Sequence, residues 1–152
     1  MSSMRTIVFG SDHAGFGLKN VLKEHLAGRF EIIDVGAHSL ESCDYPNIAG
    51  KLAAEVLSRK ATGILICGSG IGVSITANRF EGIRAALCAN EYMARMSRMH
   101  NDANVLCMGE RIIGVDLAKA IADAFLGTEF EGGRHQRRVS LIDRQTPSHQ
   151  PS

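Results

Sequence analysis

The sequence lacks the features that mark several common classes of protein. No apolar run approaches the roughly 18 residues of a membrane-spanning helix, and residues 1–10 lack the apolar core of a secretory signal peptide. The formal net charge is only +1, which gives no strong field to attract nucleic acid or a membrane surface. We therefore expect a cytoplasmic protein with no nucleic-acid partner and no membrane partner.

The cysteines and glycines lack the spacings of several familiar sites. The four cysteines contain no CxxC pair, so they predict neither a zinc site nor a disulfide framework. Three of them, Cys43, Cys88 and Cys107, are interpreted as small apolar fillers. The GSGIG segment matches neither the GxGxxG pattern of dinucleotide sites nor the GK[ST] ending of a nucleotide-triphosphate loop.

What the sequence does contain is an alternation of apolar strands and amphipathic helices. Strands are predicted at residues 5–10, 31–36, 64–66, 82–88 and 104–109. Helices are predicted at residues 16–27, 46–59, 73–78, 90–99, 115–126 and 134–144, with the methionines of the fourth helix in the core. This alternation predicts an α/β fold with a parallel sheet and helices on both faces. We expect one domain over residues 1–144 and a flexible tail over residues 145–152.

The most informative stretch runs from residue 61 to residue 82. A buried strand ends there in Cys67, three glycines follow at alternate positions, and a helix then begins. Glycine turns and helix N-termini present backbone N–H groups to anions, and the same field favours the thiolate form of a nearby thiol. The stretch therefore predicts an anion site with a nucleophile or base beside it. The alternative is a buried cysteine before an ordinary turn.

Other polar residues follow the ends of predicted strands. Ligands of open α/β sheets bind outside the carboxyl ends of the strands, so these residues are expected to share one rim: Asp12, His13, Asp44, Cys67 and Arg111. His100 and Asn101 instead follow a helix, and the pattern does not place them on this rim.

Several of these residues also have a purely structural interpretation. Asp12 can cap a helix, His100 can be a solvated helix end, and Arg111 can be a surface charge. Arg134 and Arg138 are four residues apart on one helical face, so they can converge on a phosphate or form a solvated face.

A series of short motifs, in order along the chain, resembles the type B ribose-5-phosphate isomerases, a family that includes galactose-6-phosphate and allose-6-phosphate isomerases. The motifs are GSDHAGF at 10–16, DYP at 44–46, CGSGIG at 67–72, GIRAA at 82–86, SRMHNDANVL at 97–106, GER at 109–111 and EGGRHQRRV at 131–139. The resemblance implies a Rossmann-like three-layer α/β/α sandwich with a five-stranded parallel sheet. It also implies a homodimer or dimer of dimers with active sites at the subunit interface. The implied reaction is the interconversion of ribose 5-phosphate and ribulose 5-phosphate through an enediolate, with no metal and no cofactor.

The resemblance also implies roles for single residues. Cys67 resembles the base that moves a proton between C2 and C1, and Ser69, with Asp12, resembles the group that handles protons on the sugar oxygens. His100 resembles the residue that opens the furanose ring. The turn that resembles the anion hole contains Gly68, Gly70, Ile71 and Gly72. The residues that resemble phosphate or sugar ligands are His13, Tyr45, Asn101, Arg111, Arg134 and Arg138.

One branch of the family lacks the cysteine and uses a glutamate six residues further on. Val73 stands at that position here, which indicates the branch that uses cysteine. Two alternatives stay open. One is an isomerase of the same fold that acts on a tetrose, allose or galactose phosphate, and the other is a non-catalytic module that binds sugar phosphates.

Overall fold

Five parallel strands form the sheet in the computed structural model, which describes residues 4–145. The strands are β1 (Thr6–Ser11), β2 (Glu31–Asp34), β3 (Thr62–Cys67), β4 (Ala85–Leu87) and β5 (Val105–Gly109). Their order is β2-β1-β3-β5-β4, which confirms the predicted parallel sheet and places β3 at its centre. β4 is shorter than predicted, and just before it the N–H of Arg84 donates to the side chain of Asn104 at 2.8 Å and not to a neighbouring strand.

Helices cover both faces of this sheet. They are α1 (Phe16–Leu26), α2 (Tyr45–Arg59), α3 (Ile71–Ala77), α4 (Glu91–Met99), α5 (Val115–Gly127) and α6 (Arg134–Asp143), and a 3-10 turn at His13–Gly15 precedes α1. Helices α1, α4 and α5 pack their apolar sides on one face of the sheet, and α2 and α3 pack on the other. The predicted three-layer sandwich is therefore confirmed.

The central strand contributes to both hydrophobic cores. Ile64 and Ile66 of β3 belong to the core under α1, α4 and α5, whereas Leu65 and Cys67 belong to the core under α2 and α3. Successive side chains of a strand point to opposite faces, so a strand covered on both sides reads as a continuous apolar run. This packing delivers Cys67 to the carboxyl edge of the sheet, between the sheet and α3.

Two interpretations of side chains need correction. The methionines of α4 are not core residues: Met93 is 41% exposed, and the buried side of the helix carries Ala94 and Ser97 instead. Cys43 is not a buried filler, because it is only half-buried in the loop over residues 37–44. Cys88 and Cys107 are buried as predicted, and burial raises the pKa of Cys88 to about 11.

The sequence also predicts a flexible tail over residues 145–152 and no membrane partner. Of the predicted flexible tail, residues 146–152 lie outside the described residues. Within residues 4–145, none of the helices combines the length and the apolar character that crossing a membrane requires.

Candidate active site

Cys67 is the last residue of β3 and lies in the wall of a cleft at the carboxyl edge of the sheet. Its side chain is nearly buried, with 5% exposed. The backbone N–H of Gly70 donates to its Sγ atom at 3.2 Å. The glycine turn is therefore folded around the sulfur, as the sequence predicts.

The glycines of this turn are required by close neighbours. Gly70 has a φ of +81°, and a Cβ atom there would lie 2.6 Å from Leu87 Cδ1 and 2.8 Å from the carbonyl carbon of Met108. A Cβ atom on Gly72 would lie 2.5 Å from the ring of Tyr45. Larger residues at these positions would push the turn away from the strands and from the ring that covers it.

Ser69 and Ile71 complete the turn. The N–H of Ile71 donates to Ser69 Oγ at 3.2 Å, so this hydroxyl holds the start of α3. The N–H groups of Gly70 and Ile71 are thus engaged inside the turn, and the other N–H groups of residues 68–72 are the ones available to an anionic ligand.

The cleft has a volume of about 580 Å³ and brings together most of the rim residues predicted from the sequence. The polar side chains that line it are Asp12, His13, Tyr45, Cys67, Ser69 and Arg111. Arg111 extends over the turn, because its Nη1 atom lies 3.1 Å from the position of a Cβ atom on Gly68. Asp44 does not line the cleft and lies exposed immediately before α2. The rim prediction is therefore confirmed for every listed residue except Asp44.

Asp12 and His13 follow β1 and line the cleft on that side. Asp12 is buried, and its Oδ1 atom accepts the N–H groups of Ala14 at 3.0 Å and Gly15 at 3.1 Å. The capping role considered for Asp12 is therefore confirmed. His13 Nδ1 accepts the N–H of Cys43 at 3.3 Å. A nitrogen that accepts carries no proton, so Nε2 is left as the donor of a neutral ring.

The loop that carries Cys43 is anchored by a buried ion pair. Lys19 of α1 is fully buried, lies 2.9 Å from Asp34 Oδ1 and also donates to the carbonyl of Ala37. Lys23 lies 2.8 Å from Asp34 Oδ2. Burial raises the pKa of Asp34, but the hydrogen bonds from Lys19, Lys23 and the Gly36 N–H outweigh it and hold this pKa below its ordinary value.

A second group of predicted site residues lies away from this cleft. None of His100, Asn101, Arg134 and Arg138 lines the Cys67 cleft. The segment after His100 lies at the opposite edge of the sheet, because the carbonyl of Asn104 accepts the N–H of Gly63 near the start of β3. Cys67 is four residues, or roughly 13 Å, further along that strand. Asn101 instead lines a separate groove with Arg84 and Asp143.

Two side chains to which the sequence analysis assigns no role, His135 and Glu131, lie next to His100. Its ring stacks on that of His135, with centroids 4.3 Å apart and planes inclined by 13°. Glu131 Oε1 lies 3.8 Å from His100 Nε2 and 3.4 Å from His135 Nε2. Burial lowers the pKa of His135, and the charges of His100 and Arg134 lower it further. Glu131 and His135 both belong to the EGGRHQRRV motif, but nothing in the sequence relates that motif to His100.

The same three residues are the metal-ligand candidates among the described residues. The donor atoms of His100, Glu131 and His135 all lie within 4.8 Å of one another. Imidazole lone pairs lie in the ring plane, and two stacked rings point theirs side by side. Two histidines bound to one zinc ion would have to converge on it at about 2.0–2.1 Å. The stacked arrangement favours contact between the rings over chelation.

The fold and the cleft define a class: a Rossmann-like α/β protein in which a thiol, a glycine turn and an arginine meet at the carboxyl edge of a parallel sheet. The chain belongs to the ribose/galactose isomerase family, whose family model matches residues 7–142.

Individual relatives are similar over nearly their whole length. Ribose-5-phosphate isomerase B of Escherichia coli is 52% identical over 141 residues, which are 91% of this chain and 95% of that protein. Among solved structures, a ribose 5-phosphate isomerase of Thermotoga maritima is 50% identical with a TM-score of 0.91, covering 94% of this chain and 100% of the other. Ribose-5-phosphate isomerase B of Clostridium thermocellum is 53% identical with a TM-score of 0.89, covering 91% and 95%.

Proposed function

We propose that this chain interconverts ribose 5-phosphate and ribulose 5-phosphate, with Cys67 as the base. The observation that carries the proposal is the Cys67 cleft, in which a thiol, a glycine turn, a neutral histidine donor and Arg111 meet. Membership of the isomerase family and full-length similarity to proteins named as ribose-5-phosphate isomerase B support the choice of substrate.

The reaction moves two protons, one from C2 to C1 and one from O2 to O1. In the open-chain aldose, the Cys67 thiolate takes the proton from C2, the C2–H electrons form the C1=C2 double bond, and O1 receives the negative charge. A proton then passes from O2 to O1, a transfer that we assign to Ser69 and Asp12 in the same cleft. C1 finally takes the proton back from Cys67, and C2 becomes the ketone. A positioned base of this kind contributes about 10²–10⁴ in rate.

The turn, His13 and Arg111 bind the anionic parts of the substrate. The N–H groups of residues 68–72 that are not engaged inside the turn stabilise the enediolate oxygen, and one preorganised donor of this type is worth about 10²–10³ in rate. His13 and Arg111 contact the phosphate from within the same cleft. Phosphate binding remote from C1 and C2 can then be used to orient the reacting carbons.

A second copy of the chain supplies His100, Asn101, Arg134 and Arg138 to each cleft. The support is that these four residues lie away from Cys67 in one chain, and that the cleft is bordered by exposed apolar residues of α3. Of these, Ile75 is 61% exposed and Ile71 is 52% exposed. An exposed apolar border beside a polar site is typical of a protein–protein interface. We therefore propose a homodimer, or a dimer of such dimers, with the active sites between subunits.

Complementation between inactive variants tests this arrangement. Cys67→Ala and His100→Ala are each expected to lose turnover of ribose 5-phosphate. Mixed and refolded together in equal amounts, they should regain roughly a quarter of wild-type activity, because half of the dimers carry one intact site out of two. If the mixture stays inactive while heterodimers are shown to form, Cys67 and His100 act from the same chain or not at all.

Proton exchange with solvent tests the chemistry directly. In deuterated buffer, NMR should show deuterium entering the ketose at C1 and net conversion of ribose 5-phosphate. Cys67→Ala should abolish both while phosphate-dependent binding persists. Cys88→Ala, which removes another thiol outside the cleft, is the matched control and should retain both. Exchange that survives in Cys67→Ala would show that another group is the base.

The same assay separates the proposed substrate from its alternatives. A panel of tetrose, allose and galactose phosphates is included because the family description names galactose as well as ribose. Exchange with another member only would keep the mechanism and replace the substrate. Binding without exchange on any member would favour a binding module.

Two further parts of the proposal concern the cell and cofactors. We propose a cytoplasmic location, supported by four free thiols of which one must stay reduced to act. The enediolate route described above uses residues of the chain for every proton transfer, and we propose that it operates without a metal or cofactor.

A further inference from the structure

We propose that Glu131 and His135 are positioning residues that hold the His100 ring in the orientation needed to open the furanose form of the substrate. This inference rests on the proposed function, in which His100 performs that step. The geometry behind it is the stack of two imidazole rings with one carboxylate beside both of their Nε2 atoms.

His100 has little of its own to fix its side chain. It follows the last residue of α4, its backbone N–H donates to Met96, and its side chain is 40% exposed. A ring at a helix end can adopt several rotamers unless neighbouring groups select one. A side chain that transfers protons between two sugar oxygens has to be held in a single rotamer.

His135 provides a fixed surface for that ring. Its side chain is 9% exposed in the first turn of α6, and its backbone N–H donates to Gly132 at 3.1 Å. The two rings are close to parallel at a separation typical of stacked aromatic groups. Two charged rings would repel each other in this arrangement, and burial together with the charge of His100 lowers the pKa of His135.

Glu131 ties the pair to the end of α4. Its backbone N–H donates to the carbonyl of Met99 at 3.1 Å, so the residue next to His100 also anchors the glutamate. Its carboxylate faces the Nε2 atoms of both rings. A carboxylate near Nε2 favours the tautomer with the proton on that nitrogen, which leaves Nδ1 as the acceptor.

The step itself is a balanced proton transfer. A base removes the proton from the hydroxyl on C1, the O1–H electrons form the C1=O bond, and the bond between C1 and the ring oxygen breaks. The ring oxygen keeps that electron pair and takes a proton. One imidazole in a defined tautomer and orientation can accept the first proton and deliver the second.

The experiment separates ring opening from the isomerisation that follows. Ribulose 5-phosphate cannot close to a furanose, because its C5 oxygen carries the phosphate. Exchange of its C1 hydrogen with solvent therefore reports the Cys67 step alone, whereas conversion of ribose 5-phosphate reports both steps. We compare both rates by NMR for the variants Glu131→Gln, His135→Ala and His135→Phe.

We expect Glu131→Gln and His135→Ala to slow conversion of ribose 5-phosphate by about 10- to 100-fold, a part of what one acid–base group contributes. Exchange into ribulose 5-phosphate should stay at the wild-type rate, which also shows that the variants fold. His135→Phe keeps an aromatic surface and should recover part of the loss. Glu129→Gln, an exposed glutamate two residues earlier, is the matched control and should match the wild type in both assays.

Three outcomes would overturn the inference. The variants could leave conversion unchanged, or they could reduce conversion and exchange equally, which would indicate a structural role. Alternatively, zinc could bind the wild type and fail to bind Glu131→Gln, which would make the cluster a metal site. Failure of the proposed function has a different signature, which is exchange that persists in Cys67→Ala or conversion that persists in His100→Ala.

Discussion

Gly70 has to be a glycine for two separate reasons, its positive φ and the lack of space for a Cβ atom. The effect of each on stability can be measured separately. Its φ of +81° costs a residue with a side chain about 1–2 kcal/mol. A Cβ atom would also lie 2.6 Å from Leu87 Cδ1 and 2.8 Å from backbone of Met108, and overpacking of this kind costs about 1–3 kcal/mol more. We therefore expect Gly70→Ala to lower the free energy of unfolding by about 2–5 kcal/mol, a large share of the 5–15 kcal/mol of a typical domain.

Gly28 isolates the first of these terms. It has a φ of +85°, but a Cβ atom there would meet nothing within 4 Å. Gly28→Ala should therefore cost about 1–2 kcal/mol from backbone strain alone. Urea unfolding of wild type and both variants at one protein concentration gives the difference.

The two glycine variants should also differ in activity. Gly70→Ala displaces the N–H that donates to Cys67 Sγ, so exchange into ribulose 5-phosphate should fall with it. Gly28→Ala lies after α1 and should leave exchange unchanged. If Gly70→Ala costs no more than Gly28→Ala, the neighbouring atoms shift freely and the turn is not tightly packed against β5.

Two further changes test what holds the cleft in place. Asp34→Asn leaves the Lys19 charge buried without its carboxylate and should cost about 3–5 kcal/mol in urea unfolding, whereas Asp123→Asn, in an exposed ion pair, should cost about 0–1 kcal/mol. Because the pKa of Asp34 is lowered, its contribution is present at neutral pH and is lost as the pH falls below about 4, so wild-type stability should fall more steeply there than that of Asp34→Asn. An equal acid slope would contradict this assignment. Asn78→Ala removes two hydrogen bonds to the backbone of Ala85, at 2.7 and 2.9 Å, and should cost about 1 kcal/mol by the same measurement; no loss would show that solvent replaces them.

The sheet and the rim of polar residues at its carboxyl edge could be predicted from the sequence because each depends on a local pattern. The run over residues 64–66 is apolar at every position, which fits a strand covered on both faces, and the structure buries it in two cores. The residues that follow the strands then meet at one edge by topology alone, which gathers Asp12, Cys67 and Arg111 around one cleft. The prediction that the methionines of α4 lie in the core was wrong, because helical spacing shows that residues share a face but not that the face is buried.

The partners of His100 could not be predicted, because the rule that gathers the rim concerns the carboxyl ends of strands. A connecting helix runs back along the sheet, so α4 delivers His100 to the edge where the strands begin. Its neighbours there come from the loop before α6 and from α6 itself, about thirty residues later in the chain, and no periodic pattern relates the two segments. In the proposed reaction His100 acts on the same substrate as Cys67, and from the opposite edge of its own sheet it can meet Cys67 only across a contact between chains. The separation of the Cys67 cleft from His100 within one chain therefore supports an active site that is shared between two chains. The complementation experiment tests this without any assumption about which helices form the interface.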